Sequence, residues 1–129
     1  MTERGTGVKG FAKGKAFVVK DFSVRNPFEG IPPGSILVAP AVSLSDSALI
    51  DFKNVTGMVT EEDDPDACLI ARGVGIPAVV GILGCTNKIV KGDRVLIRNL
   101  DVVVNPDLET VMEFEDLRAQ ADGQLRFDF

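Results

Sequence analysis

Apolar residues along this chain of 129 come in short runs instead of long stripes. The runs 35–39 (SILVA), 55–60 (VTGMVT) and 77–81 (PAVVG) are aliphatic or β-branched and of strand length, and they predict strands, the first and last buried on both faces. A strand over 15–20 (KAFVVK) is predicted ahead of them, followed by a loop over 21–34 that holds three prolines. Beyond them, Lys91-Gly92-Asp93 predicts a turn into a strand over 94–98, and Asn99-Leu100-Asp101 a second turn into 102–104, which makes a hairpin.

Helical spacing fills the gaps. Ser43 or Ser45 can cap a helix through Phe52, with Leu44, Ala48 and Phe52 four residues apart. Asp64 is a suitable N-cap and Pro65 suits a first helical position, so a helix through 67–72 is predicted, stopping at Gly73 or Gly75. Asn105-Pro106 predicts the opening of a last helix, with Leu108, Val111, Met112 and Leu117 on one face. Residues 113–129 read as the end of that helix and a tail, whose 121–129 segment frays or packs its two Phe against a partner. Strands alternating with short helices and ending in a hairpin predict one α/β domain over 1–129 with a mixed sheet.

Charge narrows the function. Nineteen acidic against 14 basic residues leave a net charge of −5, and the basic residues are scattered apart from a loose group at Arg4, Lys9, Lys13 and Lys15. Nucleic acid is therefore not an expected partner, because phosphate neutralisation needs clustered Lys and Arg. No run approaches the length of a membrane helix, and the N-terminus lacks a signal-peptide core, so the expected location is cytoplasmic. In a reducing compartment Cys68 and Cys85 read as free thiols. The chain has no histidine at all, which excludes histidine acid–base catalysis, histidine metal ligands and a phosphohistidine.

Three features are candidates for chemistry. The early glycines in GTGVKGFAKGKA give no GxGxxG in register and follow no predicted strand, so turns beside strands are the better reading. Glu61, Glu62, Asp63, Asp64 and Asp66 surround a predicted helix start, where anions are normally attracted. The run, Glu61, Glu62 and Asp63 included, could offer oxygen ligands to Ca²⁺ or Mg²⁺, but it lacks the alternating ligand spacing and central Gly of a calcium loop, so no cofactor is expected. Capping by Asp64 and a dipole interaction at Asp66 explain two of the acids and leave a surplus. Cys68 lies near the same helix start, but surrounding carboxylates disfavour its thiolate, so a buried structural cysteine is expected.

The stretch LIARGVGIPAVVG makes the reading specific. It resembles the signature of the phosphohistidine swivelling domain, or PEP-utilising enzyme mobile domain, found in phosphoenolpyruvate synthase, pyruvate phosphate dikinase and enzyme I of the sugar phosphotransferase system. Met58-Val59-Thr60 matches the strand end before the signature; Ile70-Ala71-Arg72 and 75–81 match the remainder. Residues 10–16, 34–40, Thr86 with 91–95, and Val104-Asn105-Pro106 resemble further family segments in the right order, so the likeness covers about residues 7–112. It implies a β/β/α three-layer swivelling fold with a mixed sheet.

The departure falls where the family does its chemistry. Counting back from Arg72, Asp66 stands at the family's phosphoryl-accepting histidine, Pro65 at its Ser or Cys, and Asp64 at its Thr; the family's Gly-Gly is missing. The resemblance thus outlines a degenerate phosphoryl site at Thr60, Asp64, Asp66 and Arg72 without carrying the activity over. The expected role is a stand-alone, non-phosphorylatable binding, regulatory or accessory subunit. Its expected partners are proteins, among them separate nucleotide-binding or PEP-binding subunits, or further copies of itself. The competing expectation is a phosphotransferase component, in which Asp66 carries the phosphoryl group or the acidic turn holds Mg²⁺.

Overall fold

A computed structural model describes residues 2–127, with side chains as far as residue 121. Eight strands form one mixed sheet: β1 (Thr2–Arg4), β2 (Thr6–Val8), β3 (Phe11–Val18), β4 (Ser35–Ala39), β5 (Val55–Thr60), β6 (Ala78–Val80), β7 (Arg94–Arg98) and β8 (Asp101–Val104). Their order is β1-β8-β7-β3-β4-β5-β6-β2. The four central strands from β3 to β6 run parallel, and the remaining pairings are antiparallel. Only Gly5 separates β1 from β2, so one stretch of chain pairs with both β8 and β6 and closes the sheet on itself.

That closure creates two main interiors. One lies inside the folded sheet, where Val38, Val59 and Val79 from the parallel strands share a cluster with Val95, Ile97 and Val102 from the hairpin. The other lies under helix α2 (Pro65–Val74), which buries Ala67, Ile70 and Ala71 in the cluster that holds Leu37, Ala39, Met58 and Val80. Alternate residues of β4 thus point into different cores, which is why all five of its residues are buried, as the continuous apolar run predicts.

Of the early glycines, Gly7 and Gly14 belong to strands and not to turns, while Gly5 and Gly10 join one strand to the next. β3 spans Phe11–Val18 where the sequence predicts 15–20, and β1 and β2 precede it. A Cβ at Gly14 would lie 2.0 Å from the Gly34 carbonyl oxygen, and one at Gly7 would lie 2.1 Å from that of Ala78. Glycine here permits close approach between backbones, and in doing so it hides the period-2 signal that bulkier residues would give.

The helices also depart from prediction. α1 is a single turn (Leu44–Ser47), capped by a reciprocal pair in which Ser43 Oγ accepts from Asp46 N–H and Asp46 Oδ2 accepts from Ser43 N–H. It does not reach Phe52, because Ser47 turns its hydroxyl back to the Leu44 carbonyl, as serines do in place of continuing a helix. Phe52 instead begins a short 3-10 turn (Phe52–Asn54). A further turn of helix, α3 (Cys85–Lys88), lies where the sequence predicts none.

The last helix, α4, spans Leu108–Phe127, and Asp107 accepts from Thr110 N–H at its start. The face that docks is formed by Val111 and Phe114, packed on Phe11, Leu96 and Val103, while Leu108, Met112 and Leu117 are exposed. Two neighbouring aromatics decide this. Phe114 meets Phe11 edge to face with centroids 5.8 Å apart, burying more than the aliphatic row could. The expectation that 121–129 packs its two Phe lies outside the described side chains.

Candidate functional site

The acidic turn sits at the carboxyl ends of β4, β5 and β6, where α/β sheets commonly place their ligand sites. Backbone bonds hold it on both sides. Glu61 N–H and Glu62 N–H donate to the carbonyls of Ala39 and Pro40 at 3.2 and 3.1 Å. Thr60, fully buried, donates its hydroxyl to the Glu62 carbonyl at 2.9 Å, and the same carbonyl accepts from Gly81 N–H at 3.0 Å.

Asp64 is the most constrained of the acids, with only 8% of its surface exposed. One carboxylate oxygen accepts from Ala67 N–H at 3.2 Å, which is the predicted N-cap, and the other accepts from the buried Val42 N–H at 2.7 Å. Asp64 therefore ties the start of α2 to the loop that leads into α1. Glu61 does similar work on the other side. Its Oε1 accepts from Thr86 Oγ1 at 2.6 Å and Thr86 N–H at 3.2 Å, so it caps α3 across 25 residues of sequence.

Two of the five acids are thereby committed to backbone and hydroxyl donors. Glu62 and Asp63 are exposed, and Asp66 is half-buried at the second position of α2. None of these three forms an ion pair among the described residues. Arg72 is exposed in the last turn of α2, about 9 Å along the axis from Asp66 at helical rise. The structure thus gathers Thr60, Asp64 and Asp66 at one turn and leaves Arg72 at the far end of the helix. Glu61, Glu62 and Asp63 do not converge, since Glu61 turns away to Thr86. Among the described residues no group of three or more cysteines and carboxylates is arranged to hold a metal ion.

Little of the helix start remains for an anion. Pro65 has no amide proton, Ala67 gives its proton to the Asp64 carboxylate, and Cys68 N–H donates to the Asp64 carbonyl at 3.3 Å. Of the first four residues of α2, Asp66 alone offers an N–H to a ligand, beside its own carboxylate. Cys68 is half-buried where the sequence predicts burial, and desolvation, then the charges of Asp64 and Asp63, push its thiol pKa up against the lowering effect of Arg72. A reluctant thiolate is a poor nucleophile at neutral pH.

Sequence reasoning names Thr86 only as part of a later turn and misses its bond to Glu61. No local signal marks a contact between residues so far apart. Two leucines near the turn are exposed without a local sequence signal to mark them: Leu69 on α2, and Leu83, 80% exposed, which follows the Ile82 whose N–H bonds the Thr60 carbonyl.

The family described as PEP-utilising enzyme, mobile domain, matches residues 31–99 of the chain. The phosphoenolpyruvate-protein phosphotransferase of Bacillus subtilis (strain 168) is 30% identical over 120 residues, covering 90% of this chain and 21% of that protein. Its counterpart from Geobacillus stearothermophilus is 28% identical over 128 residues, covering 96% of this chain and 22% of that protein. The chain therefore spans about a fifth of the length of these curated relatives. Among solved structures, that of an Enzyme I protein superposes with a TM-score of 0.66 at 26% identity, covering 77% of this chain and 41% of that one. Holo-form aconitase X from Thermococcus kodakaraensis gives a TM-score of 0.62 at 21% identity, over 81% of this chain and 98% of that one, a likeness of fold alone. No helix of the described residues is long and apolar enough to cross a membrane.

Proposed function

Because the chain belongs to the PEP-utilising enzyme mobile-domain family, we propose that it keeps the family's docking domain without the family's phosphoryl acceptor. In this reading it is a binding, regulatory or accessory domain of a phosphotransferase-type system. The observation that carries the proposal is Asp66. By the resemblance it stands at the position of the family's acceptor histidine, at the start of α2 in a chain with no histidine, and the amides of Ala67 and Cys68 beside it are already taken. A phosphoryl group arriving there would meet Asp66, with Glu62 and Asp63 nearby in sequence and no cation among the described residues paired with any of them. Like charges about 4 Å apart repel by about 1–4 kcal/mol between bulk-water and surface-like dielectrics.

The fixed negative charge at this position stands in for a phosphorylated histidine. A partner that recognises the charged family site would then bind this domain constitutively, helped by the exposed Leu69 and Leu83. The partner class is a protein with a nucleotide-binding or PEP-binding site, the latter in keeping with the relatives' name, phosphoenolpyruvate-protein phosphotransferase. The test is incubation with phosphoenolpyruvate, Mg²⁺ and a phosphotransferase-competent lysate, read by intact mass. The expected result is an unchanged mass. A mass gain of one phosphoryl group that hydroxylamine removes would establish the competing reading, in which Asp66 is itself the carrier. That second reading draws on the Asp66 carboxylate, which is half-exposed and forms no ion pair among the described residues.

A further inference from the structure

At the opposite end of the parallel strands from the acidic turn, a cleft of about 760 Å³ opens beside the first residues of β4. Its floor is apolar, with Phe17 and Leu96 from the sheet, Pro32 and Pro33 from the loop before β4, and Pro106 and Val111 from around the start of α4. Around this floor stand Lys13, Lys15, Lys91 and Arg94, and no Asp or Glu lines the cleft. In a chain of net charge −5, four of the 14 cations have been gathered at one place.

Internal partners account for only two of the four cations. Lys13 reaches Glu115 of α4, and the Lys91 ammonium lies 5.5 Å from the centroid of the Phe17 ring. Lys15 and Arg94 form no ion pair among the described residues, yet they are directly opposite each other on the antiparallel strands β3 and β7. Like charges in facing positions destabilise a sheet. The fold also brings the walls together deliberately: only glycine at 14 lets the Gly34 carbonyl come so close.

All four cations are exposed and the cleft is open, so the site is a shallow groove with an apolar floor and a charged rim. That is the anatomy of a protein interface. We propose that this groove docks an acidic segment of a partner protein, one with apolar side chains set among its carboxylates. The domain as a whole, at a net charge of −5, repels such a segment, so a groove that gathers four cations with no acid in its lining also favours where it lands. The inference is independent of the acidic turn and of whether Asp66 is ever phosphorylated.

The test is an amide chemical-shift titration of the isotope-labelled protein with a short peptide built from Glu and Leu. Two counter-probes accompany it: the same peptide with Lys in place of Glu, and inorganic pyrophosphate. Shifts centred on Lys15, Phe17 and Leu96 are expected with the acidic peptide, fading as salt is added. Lys15→Glu together with Arg94→Glu is expected to weaken binding by at least about tenfold, in line with the loss of complementary charge. Because the unmodified protein supplies the first result, a misfolded variant would not rescue the idea. No shifts at saturating peptide, shifts elsewhere, or equal binding of the Lys peptide would each overturn it. So would a pyrophosphate response matching that of the acidic peptide, which would make the groove a small-anion site.

Discussion

Replacing Asp64 by Ala removes a carboxylate that serves two backbone amides at once, and the structure permits the loss to be sized. Loss of the cap on Ala67 N–H costs about 1 kcal/mol, as at other helix starts. The second bond, 2.7 Å from the Val42 amide, is a hydrogen bond to a charged group, and such bonds contribute about 1.5–3 kcal/mol. Val42 is fully buried, so water cannot replace the lost acceptor. The sum is about 2.5–4 kcal/mol, a large share of the 5–15 kcal/mol that typically holds a domain folded. Asp64→Asn keeps one accepting oxygen and should lose about half as much. Asp66→Ala, whose side chain forms no bond, should lose less than about 1 kcal/mol through the helix dipole. Urea unfolding followed by far-UV circular dichroism measures all three, since the chain has no Trp or Tyr to report by fluorescence. If Asp64→Ala proves no more costly than Asp66→Ala, the division between structural and available carboxylates is wrong.

Glycine substitutions should go in opposite directions. Gly14→Ala forces a Cβ against the Gly34 carbonyl and should cost more than about 2 kcal/mol, whereas Gly73→Ala, in α2 with open space around it, should stabilise by about 0.4–1 kcal/mol; thermal melts compare them. Phe114→Ala should cost about 3–5 kcal/mol and release α4 from Leu96 and Val103, seen as fast amide exchange in the first turns of α4. Burial, then the charges of Glu61 and Glu3, push the Cys85 thiol from 9.0 up to about 12. A folded value above the unfolded one means that stability is complete below pH 9 and declines as pH rises toward 12. The decline from this group is at most about 1.4 kcal/mol per pH unit. Unfolding free energies at successive alkaline pH values should therefore fall less steeply in Cys85→Ala than in the parent, and parallel curves would refute the assignment.

What the sequence discloses depends on how far apart the interacting residues lie. The Asp64 cap and the αL stop at Gly75 are local, a few residues from what they serve, so both are legible. The buried strands β4 and β5 are legible because their apolar runs are continuous. Glu61 meeting Thr86, and Lys15 facing Arg94, are products of topology, and a linear reading cannot show them. Strands β1 and β2 escape notice for another reason. Each is only three residues long, and Gly7 in β2, like Gly5 between the two strands, admits a neighbouring backbone where a side chain would have shown the alternation by which strands are recognised. The docking face of α4 is misread because helical spacing fits two overlapping rows, and only the position of Phe11 selects the one holding Phe114.

The double service of residues 2–8 has a consequence for the order of events during synthesis. Thr2 pairs with Val103, and Thr6 with Val80. Both partners leave the ribosome long after the segment that joins them, which must wait unpaired while about a hundred residues are made. Such distant pairing slows folding and leaves strand edges unprotected in the meantime. Four of the seven waiting residues are Thr2, Glu3, Arg4 and Thr6, and two more are Gly5 and Gly7. A segment so polar and so poor in apolar side chains has little tendency to pair with a stranger, which suits a clasp that must remain open until the rest of the sheet exists.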